Sequence, residues 1–148
     1  MVEMGIQQNN ESRDGLSLFL KSKGLRSTKQ RICVYDTILE KKDHPTADDI
    51  FFRVKKRLPK ISFATVYNCL ETFVEFGLVK KVQLDRSSSR YCPNLMPHAH
   101  FKCTKSGNIF DLPIDSDTLN SLQSILPEGF SHTDFDLSFQ GMSPSSNN

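Results

Sequence analysis

The segment from Thr46 to Cys92 constrains the fold more than any other part of the chain. Thr46-Ala-Asp-Asp49 reads as a capping-box variant that opens a helix. Its apolar stripe is Ile50, Phe51, Val54 and Leu58, and Pro59 ends it. A few residues later Ser62 caps another helix running through Phe76, with Val66, Leu70, Phe73 and Val74 inward and Gly77 at its C-terminal stop. Two amphipathic helices joined this tightly match a helix-turn-helix. Leu78–Leu84, a polar tip at Asp85–Ser89 and Arg90-Tyr91-Cys92 then read as a β-hairpin, so the helix pair carries a wing. Upstream, Ser27 or Thr28 caps a helix with Ile32, Tyr35, Ile38 and Leu39 on one face. A shorter helix over Arg13–Lys23 precedes it and stops near Gly24. Lys41–Pro45 reads as a loop, because Pro45 biases His44 away from the right-handed helical region. The sum predicts a winged helix-turn-helix domain over residues 1–92.

Pro93–Pro97 reads as a hinge, and residues 98–148 as a second module. It opens with His98-Ala-His100, whose side chains leave the same face of a strand. Lys105–Asn108 is turn chemistry, with Gly107 able to take positive φ, and a return strand through Ile109–Leu112 brings Asp111 back beside the imidazoles. Two neutral imidazoles and a carboxylate suit a first-row divalent metal. Leu119, Leu122, Ile125 and Leu126 predict an amphipathic helix, and Phe135, Leu137 and Phe139 alternate with polar residues as a half-buried strand does. The module is too short for an independent core, which predicts that a second subunit completes the sheet. The fold class expected is therefore α+β.

Charge divides the chain at the same place. Residues 1–97 hold 17 Lys/Arg against 11 Asp/Glu, a net of +6, whereas residues 98–148 hold 2 against 6, a net of −4. A basic front module suits double-stranded DNA. In a winged helix the second helix of the turn enters the major groove, where Ser62, Thr65, Tyr67 and Asn68 offer groups for base edges and phosphates. Lys29, Arg31, Lys55, Lys56, Arg57 and Lys60, with Arg86 at the wing, are candidate phosphate contacts. No apolar run reaches membrane-spanning length and the polar start has no signal-peptide pattern, so the location expected is cytoplasmic, with no membrane partner. Cys33, Cys69, Cys92 and Cys103 form no Cys-x-x-Cys pair and are expected to stay reduced, the first two as small core residues.

Leu25-Arg-Ser-Thr-Lys-Gln-Arg31, His44-Pro-Thr-Ala-Asp-Asp-Ile50, Ala64-Thr-Val-Tyr-Asn68, Gly77-Leu-Val79, Ser88-Ser-Arg90 and His98-x-His100 occur in this order. Together they resemble the ferric uptake regulator (Fur) superfamily, and most of all its peroxide-stress (PerR) branch, from about Gly24 to Gly141. The resemblance implies a homodimeric, metal-dependent repressor of a palindromic DNA operator, with a C-terminal α/β dimerisation domain. It places the imidazoles of a regulatory metal on His44, His98 and His100 and one aspartate on Asp111; the second aspartate of the pattern falls on Cys92. Asp rather than Glu at 111, and Asn rather than Arg at 68, both resemble the peroxide branch.

The same resemblance implies one regulatory Fe(II) or Mn(II) per subunit, with Zn(II) able to substitute. Peroxide would then oxidise His44 or His98 and release DNA. Cys92 has three readings: a thiolate ligand, a packed strand residue, or a thiol that is itself oxidised. The family's structural zinc uses two Cys-x-x-Cys pairs, of which only Cys103 remains; Ser106, Ser143 and Ser146 occupy the other positions. Serine hydroxyls do not ligate as thiolates do, so no structural zinc held by four cysteines is expected. An iron- or zinc-availability repressor of the same fold is the rival reading. A zinc metalloenzyme or a metal-independent winged-helix adaptor stands further off, the chain showing no general base in the hairpin.

Overall fold

The computed structural model describes residues 15–41, 43–84 and 88–144. The chain divides into two compact units, one ending at Asn94 and the other beginning at Leu95. The class is α+β: a winged helix-turn-helix followed by a small mixed unit.

In the first unit, α1 (residues 15–22) is followed by α2 (Lys29–Glu40), α3 (Ala47–Lys55), α4 (Phe63–Glu75) and a wing of β1 (Lys80–Val82) and β2 (Arg90–Cys92). The expected start of α1 at Arg13 lies outside the described residues. The caps are those the side chains dictate. Thr28 Oγ1 accepts from Arg31 N at 3.2 Å, and Ser62 Oγ from Thr65 N at 3.1 Å. Thr46 Oγ1 accepts from Asp49 N at 3.2 Å while Asp49 Oδ2 accepts from Thr46 N at 3.1 Å, a complete capping box. At the far end of α4, Gly77 takes φ of +73°, and Leu78 N donates to Phe73 O at 2.8 Å and Gly77 N to Val74 O at 3.1 Å, a Schellman stop. Thr46→Ala is expected to lower stability by about 1 kcal/mol, as loss of a threonine cap does, read as an earlier urea midpoint at unchanged slope.

The core of this unit interleaves Leu20, Val34, Ile38, Ile50, Val54, Val66, Leu70, Phe73 and Leu78, all fully buried. Cys69 sits in it and Cys33 packs against it, as small apolar side chains. The stripes differ from expectation in places, Ile32 and Val74 being only half-buried. Leu39 is exposed; α2 instead turns Val34, Tyr35, Thr37 and Ile38 inward, with the Thr37 hydroxyl donating to Cys33 O at 2.7 Å. Helix α3 ends at Lys55, so Leu58 lies in the following turn, its N–H on Val54 O at 2.8 Å, and is half-buried together with Phe51. Pro59 therefore comes after a turn rather than breaking a helix.

The second unit holds β3 (His98–Cys103), β4 (Ile109–Pro113), α5 (Ser116–Gln123) and β5 (Ser138–Gly141). The sheet order is β4-β3-β5, with β3 antiparallel to β4 and parallel to β5. Gly107, at φ +77°, makes the β3–β4 turn and sets His100 opposite Asp111. Two expectations are corrected. The strand expected across Phe135, Leu137 and Phe139 runs only from Ser138, with Leu137 O already accepting from His100 N at 3.0 Å, while Phe135 N donates to Asp134 Oδ1 at 2.8 Å instead of to a neighbouring strand. Helix α5 ends before Ile125 and Leu126, since Pro127 disfavours helical backbone at Leu126. Among the described residues, the apolar side chains fully covered in this unit are those of Ala99 and Cys103, while Ile125, Phe130, Phe139 and Met142 are more than half exposed.

Candidate metal centre

Strand alternation puts His98 and His100 on one face of β3, and the register adds Asp111 from β4. The Nε2 atoms of His98 and His100 stand 3.1 Å apart, and Asp111 Oδ1 lies 3.7 Å and 3.4 Å from them. Two nitrogens bonded to one ion at about 2.1 Å are roughly 3.0–3.4 Å apart for bond angles between octahedral and tetrahedral. The His98–His100 and His100–Asp111 separations fall within that range, and His98–Asp111, at 3.7 Å, lies a little beyond it. Both imidazoles are buried. His98 Nδ1 lies 2.6 Å from Met96 O; with the proton on Nδ1 donating to that carbonyl, the Nε2 lone pair faces Asp111 and His100. Such an outer hydrogen bond is what fixes the tautomer of a ligating histidine.

The first unit contributes its own pair. His44 and Cys92 are both buried, and their donor atoms lie within 4.8 Å of each other. They meet because the His44 loop is sewn to β2: Tyr91 N donates to Pro45 O at 2.9 Å, and Thr46 bridges Arg90. His44 has φ of +53°, the one positive φ among described residues other than glycine. Proline at 45 accounts for the avoidance of right-handed helix but favours extended backbone, so this conformation is a difference from the sequence reading. It costs on the order of 1–2 kcal/mol for an L-residue and persists only where neighbours over-determine it. Beside it Arg53 donates to both Asp43 carboxylate oxygens, which holds that carboxyl below its ordinary range.

No disulfide joins any of the four cysteines. Cys103 is completely covered, and hydrogen bonds from Ser106 and Ser143 pull its thiol down to about 5. These serines stand where the zinc-binding pattern has cysteine; Ser146 lies outside the described residues.

The DNA-facing candidates divide. Tyr67, Asn68 and Lys60 are exposed and Thr65 half-buried, while the Ser62 hydroxyl is engaged in the cap and with Thr65 Oγ1 at 2.9 Å. Arg86 lies outside the described residues. Arg57 is paired with Asp36 at 2.9 Å and with Glu40, so a phosphate there would compete with two carboxylates. Lys55 and Lys56 rest over the rings of Phe51 and Phe52. A groove beside α4, lined by Arg26, Gln30, Arg31, Thr65 and Asn68, adds Arg26 and Gln30, which periodicity alone does not single out.

Residues 22–140 match the model of the ferric uptake regulator family. The chain belongs to that family. It is 34% identical over 123 residues to the peroxide-responsive repressor PerR of Staphylococcus aureus, covering 83% of this chain and 80% of that protein. The PerR of Staphylococcus epidermidis is 39% identical over 92 residues, 62% of this chain and 61% of that one. Among solved structures, the Campylobacter jejuni peroxide stress regulator superposes with a TM-score of 0.69 at 28% identity, covering 88% of this chain and 94% of that one. The Pseudomonas aeruginosa ferric uptake regulator with manganese shares the fold, with a TM-score of 0.72 at 22% identity over 86% of this chain and 97% of that one. Both staphylococcal relatives are named as repressors that respond to peroxide. Solved members of the fold carry manganese, iron or zinc. Among the described residues no helix is long and apolar enough to cross a membrane.

Proposed function

We propose that this chain is a homodimeric repressor that holds one regulatory cation per subunit through His44, Cys92, His98, His100 and Asp111, and that hydrogen peroxide releases it from a palindromic operator. The observation that carries the reading is the convergence of His98 Nε2, His100 Nε2 and Asp111 Oδ1 within 3.7 Å. Four of the five donors fit Fe(II) or Mn(II), imidazole suiting the first and carboxylate the second, while the Cys92 sulfur is the departure. The names of the staphylococcal relatives and of the Campylobacter structure support peroxide as the signal.

In this reading Asp111 and the two β3 imidazoles form a preorganised face, and His44 with Cys92 supplies donors from the winged-helix unit. Drawing ligands from both units lets metal occupancy favour one arrangement of the DNA-reading helices, by as much as the ion prefers that arrangement and no more. Fe(II), if held there, would supply the activation of peroxide next to its ligands, peroxide being the two-electron oxidant overall: one of its oxygens would go to a ring carbon of His44 or His98, the other would leave as water, and iron would end as Fe(II). An oxidised His44 or His98 would no longer offer the same donor, and the operator would be released. DNA is read through Tyr67, Asn68 and Thr65 on α4, with Ser62 at its cap and Lys60 beside it, and Arg86, which falls between β1 and β2 in sequence, is proposed to touch phosphate.

Cys92 favours a second reading. A thiolate next to His44 is a soft donor and suits Zn(II) better than Fe(II), as a zinc-availability repressor of this fold would need. One set of binding assays separates the two. Purified protein is given operator with Fe(II), Mn(II), Zn(II) or chelator, each with and without peroxide. Peroxide sensing predicts loss of binding with Fe(II) alone, accompanied by one added oxygen on the His44 or His98 peptide and blocked by Mn(II). Peroxide-insensitive binding restored equally by Zn(II) supports the availability reading, and oxidation confined to Cys92 or Cys103 supports a thiol sensor.

A further inference from the structure

We propose that Arg90 is a positioning residue for His44: its guanidinium, carried on the wing strand β2, holds the His44 loop in the left-handed conformation that presents the imidazole. Arg90 Nη1 donates to the His44 carbonyl at 3.1 Å, across 46 positions of sequence. The same residue pairs with Val82 on β1 and bridges Thr46 through its backbone, so its side chain leaves a fixed point. Tyr91 N on Pro45 O, at 2.9 Å, ties down the next residue, and the doubly bonded Arg53–Asp43 pair ties down the previous one. His44 is therefore clamped on both sides and at its own carbonyl. An unfavourable φ of +53° in front of a proline needs such a clamp. A bare helix cap at Thr46 fixes the end of the loop but not the peptide plane of His44.

The consequence is specific to this chain's geometry. The wing and the His44 donor share one guanidinium, so anything that shifts β2 shifts His44, and displacement of His44 shifts the wing. This inference rests on the reading of His44 as a ligand, but the clamp itself has a readout that needs no metal. A residue with φ near +50° has its amide proton unusually close to its own α-proton, giving a strong intraresidue NOE.

The full-length protein, its Arg90→Met and Arg90→Lys variants, His44→Ala and the double variant His44→Ala/Arg90→Met are compared. Metal-free Arg90→Met is expected to lose the strong NOE at residue 44 and to weaken Mn(II) binding about 10-fold, the lower range for loss of an outer partner of a ligand. Arg90→Lys, which keeps a cationic donor, is expected to recover most of that loss. His44→Ala should weaken binding more, and adding Arg90→Met to it should cost nothing further, since two residues acting through one donor are not additive. A retained NOE in Arg90→Met overturns the inference, as does an affinity loss from Arg90→Met that repeats in the His44→Ala background. Wild-type Mn(II) affinity in His44→Ala overturns the ligand reading instead, and the NOE then decides the backbone clamp by itself.

Discussion

His100→Ala is expected to weaken Mn(II) binding by on the order of 100-fold or more and to abolish metal-dependent operator binding, while leaving the fold intact. The size comes from position. Loss of an outer partner of a metal ligand already costs about 10–100-fold, and His100 is proposed as a ligand itself, so its loss should exceed that range. A hundredfold is about 2.7 kcal/mol of binding free energy. The β3–β4 ladder is made by backbone and survives the substitution, although the buried contacts of His100 Nε2 with His98 and Asp111 are lost. Titration of the variant with Mn(II), monitored by the loss of the free-ion paramagnetic resonance signal, gives the affinity. Circular dichroism of the metal-free form checks the fold. A variant that binds Mn(II) as wild type and still grips its operator contradicts the proposal at its strongest point.

The largest stability effect is expected from Phe73→Ala. Phe73 is fully buried on the inner face of α4, with its ring centroid 5.3 Å from that of Tyr35 on α2. Truncating a buried phenylalanine costs about 3–5 kcal/mol, from lost transfer free energy and the cavity left behind. Against a typical domain stability of roughly 5–15 kcal/mol, that leaves the winged-helix unit marginal. For a unit of this size the melting temperature should fall by on the order of 15–30 °C. DNA binding should fail with it, because Phe73 anchors the helix that carries Tyr67 and Asn68 on its exposed side. Exposed Leu18, by contrast, should tolerate alanine within about 0.5 kcal/mol. Thermal melts of the two variants side by side test the contrast.

The features legible in the sequence are those that local chemistry fixes. Thr28, Thr46 and Ser62 announce helix starts because each hydroxyl bonds a backbone N–H three residues on. His98, His100 and Asp111 come together because a period of two and one glycine turn fix the register between them. Contacts made across long separations are not legible. Nothing in the pattern around Phe139 says that β5 runs parallel to β3, which depends on how the chain returns from α5. The pairing of Arg57, in the turn after α3, with Asp36 and Glu40 on α2 is equally hidden from the local pattern. The positive φ of His44 is hidden for the same reason: Arg90, Arg53 and Tyr91 impose it from two other elements.

If one regulatory ion is held by His44 and His100 together, as proposed, calorimetric titration of Mn(II) into the wild type shows one high-affinity ion per chain, and His44→Ala and His100→Ala each abolish that same binding event. Two separable binding events, one lost with each histidine, or undiminished binding in His44→Ala, would contradict the proposal.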